Sequence, residues 1–476
     1  MRYSDSMRIR AALGPLLLTL SMAGADWPMF RGPNAAGVSS DTGLPVRLGP
    51  DQNVVWKTPL PPGHSSPSIA GNKIFLTAHE DRKLYVYALD RESGRILWRR
   101  EVPRERVERL HQANGPTSAT PASDGDNVYA FFTDFGLISF DGQGKERWRL
   151  PLGPFNTPMG MSASPVLAGR TLLQICDQED SSYFLALDKD TGKRKWRIER
   201  PEYTRGFSTP ILYQPAGGPL QVLVTGSYQL TAYQVETGEA VWWVRGLTWQ
   251  LKPTPVMDRE NLYVLGWAGE ADPGQQEVVP AFEETLRKLD ANGDGKLEKE
   301  EIAEPRITNQ WDSLDLDLDG TLGERDWRMY QAKRAVVNAV QSFRLGGRGD
   351  MTEQSLRWKY SKSLPNVPSP LLYQEVLYLV KEGGILTSLD PKTGAVLKQA
   401  RLSGAPGAYF SSPVGADGKV YTVSEEGKMT VLKAGGQWEI LAVNELDDGC
   451  HATPAIAGGR LYVRTHSALY CFANKD

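Results

Sequence analysis

The sequence predicts an all-β fold: an eight-bladed β-propeller closed by an N-terminal strand, with a small α-helical insertion in blade five. Three observations predict it. First, Ser/Thr-Pro followed by alternating apolar residues recurs eight times, at Ser66-Pro67, Thr120-Pro121, Ser164-Pro165, Thr209-Pro210, Thr254-Pro255, Ser369-Pro370, Ser412-Pro413 and Thr453-Pro454. Second, a strand–turn–strand motif recurs inside these units: Ala186-Leu187-Asp188 … Thr191-Gly192 … Trp196, then Ala88-Leu89-Asp90 … Ser93-Gly94 … Trp98 at the same offsets. Third, the last unit runs out at Cys471-Phe472, one strand short, while Asn53–Lys57 near the start reads as a strand with no partner before it. A closed ring of sheets removes exposed edges, and the displaced strand would fasten it.

Composition suits this fold. The 476 residues are 40% hydrophobic and 23% charged, which excludes a disordered chain. A net charge of −3 leaves no electrostatic footprint for nucleic acid. Arg8 and Arg10 precede the uncharged run Ala11–Ala23, and Ala23-Gly24-Ala25 is a small-x-small cleavage signal. Residues 1–25 are therefore expected to be a signal peptide cut after Ala25, giving a periplasmic or secreted protein. The run is too short to span a bilayer, and no other segment is long and apolar enough, so no membrane span is expected. Of Cys176, Cys450 and Cys471 at least one must be free in an oxidising compartment; Cys450 and Cys471 share a repeat and are the pair that could bridge, against the alternative of three buried thiols.

The units follow in order. Successive Ser/Thr-Pro starts are 54, 44, 45, 45, 115, 43 and 41 residues apart, so seven units have ordinary four-strand length and the fifth carries an insertion. In each motif the Asp accepts backbone N–H groups two or three residues on, the Gly supplies the positive φ of the turn, and the Trp anchors the outgoing strand. The motif decays around the ring. Ser388-Leu389-Asp390 … Thr393-Gly394 has Lys398 where the Trp is expected, and Gln234 … Thr237-Gly238 … Trp242 has lost the Asp. The expected divisions are 26–271 (closing strand and blades one to five, first part), 272–341 (insertion) and 342–476 (rest of the propeller). Arg348-Gly349-Asp350 is read as the turn where the chain re-enters blade five.

The insertion carries the most specific chemistry. Asp290, Asn292 and Asp294 offer side-chain oxygens at positions 1, 3 and 5 of a twelve-residue EF-hand loop. Gly295 makes the turn at 6, Lys296 offers its carbonyl at 7, Glu298 stands at 9 and Glu301 gives the bidentate carboxylate at 12. Phe282, Leu286 and Leu289 share one face of the helix before it. A second loop has Asp315, Asp317 and Asp319 at 1, 3 and 5, Thr321 at 7, Gly323 at 9 and the shorter Asp326 at 12, which predicts weaker Ca²⁺ binding. Leu297 and Leu322 both occupy position 8, where paired loops join through a short β-bridge. Met329, Ala332, Val336 and Val340 are expected to form one stripe of the exit helix.

The repeat units resemble the PQQ-type propeller repeat, found in quinoprotein dehydrogenases and in non-enzymatic relatives. Asp26-Trp27-Pro28-Met29-Phe30-Arg31-Gly32-Pro33, with Gly346-Gly347-Arg348-Gly349-Asp350 and Val367-Pro368-Ser369-Pro370, resembles one exported bacterial subfamily, the PQQ-binding-like β-propeller repeat proteins. The resemblance implies the fold more than a function. PQQ is a possible cofactor on this resemblance but not the favoured one.

Loops entering each innermost strand ring one mouth of a propeller channel. Here they hold His64, His111 with Asn114, Met159 with Met161, Arg205, Trp249 with Lys252, Asn366, Tyr409 with Phe410, and His451, a composition suited to a polar small-molecule or peptide site. No Cys-x-x-Cys-His, adjacent Cys pair, Gly-x-Ser-x-Gly or His-Glu-x-x-His occurs. The expectation is thus a monomeric, exported, non-catalytic propeller with a Ca²⁺-binding EF-hand pair, holding a small molecule or protein at its mouth. The alternative is a PQQ-dependent oxidoreductase of alcohols or sugars.

Overall fold

The computed structural model describes residues 26–475; the predicted leader lies outside them. Eight sheets of four antiparallel strands each make the propeller, and blade four gains a short fifth strand. Blade three is representative, running outward through Val166–Ala168, Thr171–Cys176, Tyr183–Asp188 and Arg194–Glu199. Its second strand is buried at every residue, because neighbouring blades cover both faces of the sheet, whereas the outermost strand alternates with the two-residue period of a half-solvated edge. Blade eight is completed by Val54–Pro59, antiparallel to Ala468–Phe472, as the missing strand of the last repeat predicts.

The repeat motif joins blades. Asp188 Oδ1 accepts the Thr191 N–H and hydroxyl, each at 2.9 Å, and Gly192 takes φ 69°. A side chain at Gly192 would collide with the Trp148 ring of the preceding blade, 2.7 Å away, so the turn needs glycine for contact as well as for conformation. Trp148 Nε1 then donates to Lys189 O at 2.9 Å. The same donation from one blade to the next turn recurs at Trp56, Trp98, Trp196 and Trp358. Lys398, in the Trp position of blade six, makes an equivalent link: its ammonium donates to Trp438 O at 2.6 Å and lies 4.2 Å from that ring's centroid.

At the inner end of the blades the Ser/Thr-Pro residues form a second, circular seam. At seven of the eight junctions the backbone N–H donates to the hydroxyl of the next blade's residue. The chain of bonds runs Ser66 to Thr120 (2.9 Å), Thr120 to Ser164 (3.0 Å) and Ser164 to Thr209 (3.1 Å). It resumes from Thr254 to Ser369 (3.0 Å), Ser369 to Ser412 (2.9 Å), Ser412 to Thr453 (3.0 Å) and Thr453 back to Ser66 (2.9 Å). The seam is open only between Thr209 and Thr254, where a parallel bridge between Gly206 and Leu251 joins blades four and five instead.

The N-terminal segment closes the other end of the channel. Trp27 exchanges backbone bonds with Ile69 of blade one, Pro28 O accepts from Ser123 of blade two, and Asn34 pairs with Leu212 of blade four. Arg31 crosses to Pro370 O of blade six at 2.8 Å, and Val38 bridges Gly415 of blade seven. These contacts fall along the innermost strands and their far ends, beyond the Ser/Thr seam at their starts. The segment therefore visits most of the ring before it becomes the closing strand.

The insertion leaves blade five between its second and third strands, Asn261–Gly266 and Ala339–Arg344. Its helix Glu324–Ala335 ends before Val336, which turns extended, and Val340 lies in the strand, so the expected four-residue stripe stops at Ala332. Trp327 and Tyr330 are instead the apolar anchors, packed with Phe282, Leu297 and Leu322 in a small core of its own. Gly349–Asp350 is a further difference: it runs parallel to Trp242–Trp243 at the edge of blade four rather than turning the chain back into blade five. The three cysteines are free and buried. Among the described residues no helix is long and apolar enough to cross a membrane.

Candidate functional site at the channel mouth

The loops entering the innermost strands enclose a cavity of about 360 Å³. Of the residues expected there, His64, His111, Asn114, Met159, Lys252, Asn366, Phe410 and His451 line it. Arg205, Trp249, Tyr409 and Met161 lie in the same loops but do not. Buried Glu179 captures Arg205 in an ion pair, and Trp249 packs beneath that guanidinium, 4.8 Å from it. Tyr409 turns into the blade six–seven core with its hydroxyl on Ala405 O at 2.7 Å, and Met161 joins the core between blades two and three.

Several lining residues carry no motif. Phe30 enters from the N-terminal segment, Phe207 and Gln250 flank the open junction, and Trp267 begins the insertion. The seam residues, Ser66, Thr120, Ser164, Thr209, Thr254, Ser369, Ser412 and Thr453, also line the cavity. Their sequence signal was present in every repeat start, since a hydroxyl before proline at the head of an innermost strand must face the channel or its seam.

The cavity is chemically two-sided. On the side of blades one, seven and eight the rings of Phe410, His451 and His64 stack, with centroids 4.6 Å and 4.4 Å apart. His451 Nδ1 lies 2.8 Å from His466 Nε2. Burial, and in second place the neighbouring imidazoles, pushes His64 down to about 3 and His451 to about 4; burial outweighs Glu425, 3.5 Å from His451. Both rings are neutral at physiological pH. On the blade five–six side Lys252 donates to Gln250 Oε1 at 3.1 Å and Asn366 Oδ1 at 2.8 Å. Burial, then the charge of Arg205, lowers its ammonium to about 8. Among the described residues the lining contains no Asp or Glu.

The insertion stands on the rim of this mouth. Lys333 of its last helix lies 4.7 Å from the Trp249 ring, on which Arg205 also rests. Arg325 donates to Glu179 O at 2.8 Å, Tyr228 to Met329 O at 2.9 Å, and Asn156 to Leu316 O at 2.9 Å. Its two loops are joined by the antiparallel pair Leu297 and Leu322. In the first loop Asp290 accepts from Gly293 (2.6 Å) and Gly295 (3.0 Å), and Glu301 accepts from Ala291 (2.7 Å) and Glu298 (3.0 Å). Asn292 Oδ1 and Asp294 Oδ1 accept from Asp294 and Lys296 N–H, while Glu298 accepts from the Asn292 amide. In the second, carboxylate oxygens of Asp315, Asp317 and Asp319 lie within 4.8 Å of one another. Asp326 accepts from Leu316 and Gly323, and Thr321 donates to Asp319. Burial raises Asp315 and Asp326, whereas Lys296, bonded to Asp319 across the pair at 2.6 Å, and the Thr321 hydroxyl lower Asp319 to about 2.

Similarity to known proteins follows the fold. No curated protein matches the chain. Among solved structures, BamB from Moraxella catarrhalis is 14% identical, with a TM-score of 0.53 over 88% of this chain and 100% of that one. A europium-containing methanol dehydrogenase is 11% identical, with 0.60 over 94% and 98%. The quinohemoprotein alcohol dehydrogenase from Comamonas testosteroni is 13% identical, with 0.56 over 94% and 80%. At such identities these likenesses show the eight-bladed fold alone. A family model described as outer membrane protein assembly factor BamB matches residues 35–180, 156–273 and 180–476, and the chain belongs to that PQQ-like propeller family.

Proposed function

We propose that this protein is an exported binding propeller: its mouth captures a small molecule without transforming it, and its EF-hand pair binds Ca²⁺ as a brace on the rim. The observation that carries this reading is the cavity itself. It is closed below by the N-terminal segment, walled by aromatic rings and hydrogen-bond donors, and its described lining offers no carboxylate. A quinone cofactor with its divalent cation needs carboxylate oxygens beside it. The lining residues do not fit that group. The carboxylates sit instead in the insertion, where an all-oxygen donor set suits a hard cation.

Two measurements test the reading. Incubation with PQQ and Ca²⁺ is expected to give no bound quinone spectrum and no dye reduction with alcohols or sugars; turnover would establish the oxidoreductase instead. Calorimetry is expected to show Ca²⁺ binding that the double variant Asp290→Asn, Glu301→Gln weakens by at least tenfold at the tighter site. Unchanged binding would remove the EF-hand assignment.

A further inference from the structure

We propose that the mouth recognises an organic carboxylate with a flat apolar body, its anionic end held by Lys252, Gln250, Asn366 and Thr254. This rests on the reading of the mouth as a ligand site and names the ligand's chemistry.

Lys252 is the first reason. It lines the cavity, and among the described residues no carboxylate pairs with it. The residue is half-buried and its ammonium has no counter-charge, so an incoming anion would relieve the cost of its partial desolvation. The two acceptors it does have are neutral amide oxygens, on Gln250 and Asn366. With both oxygens turned to the ammonium, the amide NH₂ groups remain as donors on residues that line the same cavity.

Thr254 is the second, independent reason. Every other seam hydroxyl accepts an N–H from the preceding blade; Thr254 Oγ1 has no partner, though the residue is 1% exposed. Seven other buried hydroxyls among the described residues also lack a partner, but Thr254 is the one of them that lines the cavity, where an entering ligand can supply the missing partner. It stands two residues from Lys252 in the same loop and lines the same cavity. One ammonium, two amide NH₂ groups and one hydroxyl form a donor cluster, the complement of a carboxylate.

The opposite wall limits the rest of the molecule. The stacked rings of Phe410, His451 and His64 are uncharged and Phe30 adds apolar surface, while Phe207 and Trp267 add it on the lysine's own side, the Trp267 ring 5.8 Å from the ammonium. Such a wall accepts a flat ring and offers no cation to a second or third anionic group.

The test uses 2-naphthoate and its neutral counterpart 2-naphthylmethanol, with inorganic phosphate as a third arm, by calorimetry on the mature protein. Naphthoate is expected to bind at least tenfold tighter than the alcohol and tighter than phosphate. Lys252→Met is expected to abolish that preference, Lys252→Arg to retain part of it, and Thr254→Val to weaken naphthoate about threefold. Equal binding of acid and alcohol, both lost in Phe410→Ala, would overturn the carboxylate assignment and leave the mouth as a ligand site. Tightest binding to phosphate, unaffected by Phe410→Ala, would overturn the flat apolar body. Binding of none of the three would overturn both the assignment and the mouth. Should Lys252→Met fail to fold, the acid-to-alcohol ratio of the unaltered protein and of Thr254→Val decides the question alone.

Discussion

The two ends of the channel are built from the same eight innermost strands and behave oppositely. At the far end the segment from Trp27 to Val38 spends its backbone on blades one, two and seven, and the side chains of Asn34 and Arg31 reach blades four and six. At the near end the chain leaves a space, lined by hydroxyls, imidazoles and a lysine. The closed end contributes to stability by burial; the open end keeps groups that burial penalises. Buried Arg31 shows that even the closed end tolerates a cation: desolvation lowers it to about 9, and its described hydrogen bonds go to the carbonyls of Ala36 and Pro370. A group held that way fastens a segment, whereas Lys252 faces a space that a second molecule can enter.

The largest expected effect is at the closed end. Trp27 is 1% exposed, packs over Gly32 and belongs to the core shared by blades one, seven and eight. Trp27→Ala is expected to cost about 3–5 kcal/mol, the usual range for a large aromatic in a core. Denaturant unfolding of the variant measures it. Ligand-free stability equal to that of the parent would show that the N-terminal segment does not lock the ring.

An intermediate effect belongs to the open end. His64 and His451 titrate at about 3 and 4 in the folded protein against 6.5 when free, so the unfolded chain binds more protons below pH 6.5. Stability is therefore expected to be full above about pH 6.5 and to fall as the pH drops toward 4. Glu425 beside His451 opposes the loss, and Arg464 near His64 adds to it. After allowance for the partial exposure of both rings, the loss is on the order of 2 kcal/mol. The double variant His64→Phe, His451→Phe is expected to flatten the curve in that window; a parallel curve would place the acid sensitivity elsewhere.

The contrast also explains what was legible in the sequence. Repeat starts, turn motif and closing strand are local patterns with a fixed period, and each predicted element is found at its place. The N-terminal plug has no period. Trp27, Phe30 and Arg31 sit in an eight-residue stretch whose meaning lies in contacts with distant strands, such as Arg31 with Pro370. At the mouth, loop position identified the ring of candidates, but which side chain faces the cavity depends on partners from other loops. Glu179 draws Arg205 away, and Ala405 holds the Tyr409 hydroxyl. The inverse omission is the seam: each Ser/Thr before proline counted as a strand start, while its hydroxyl was the feature that faces the channel.

The smallest expected effect, that of Thr254→Val, is the sharpest test of that seam when set against its stitched counterpart. Ser164 Oγ accepts the Thr120 N–H at 3.0 Å in a buried setting, so Ser164→Ala leaves that donor unsatisfied, at a cost of about 1–3 kcal/mol. Thr254→Val removes a hydroxyl that has no partner and keeps the shape of the side chain. Its cost in the ligand-free protein is expected to stay below about 0.5 kcal/mol, and the removal of a buried unsatisfied group can even stabilise the fold. Paired denaturant titrations of the two variants decide it. Equal losses would mean that blades four and five are stitched like the other pairs, and the opening in the ring would vanish with its claim on a ligand. Unequal losses would mean that the ring forgoes one stitch at the junction beside Lys252, where the propeller then relies on the Gly206–Leu251 bridge to hold its blades together.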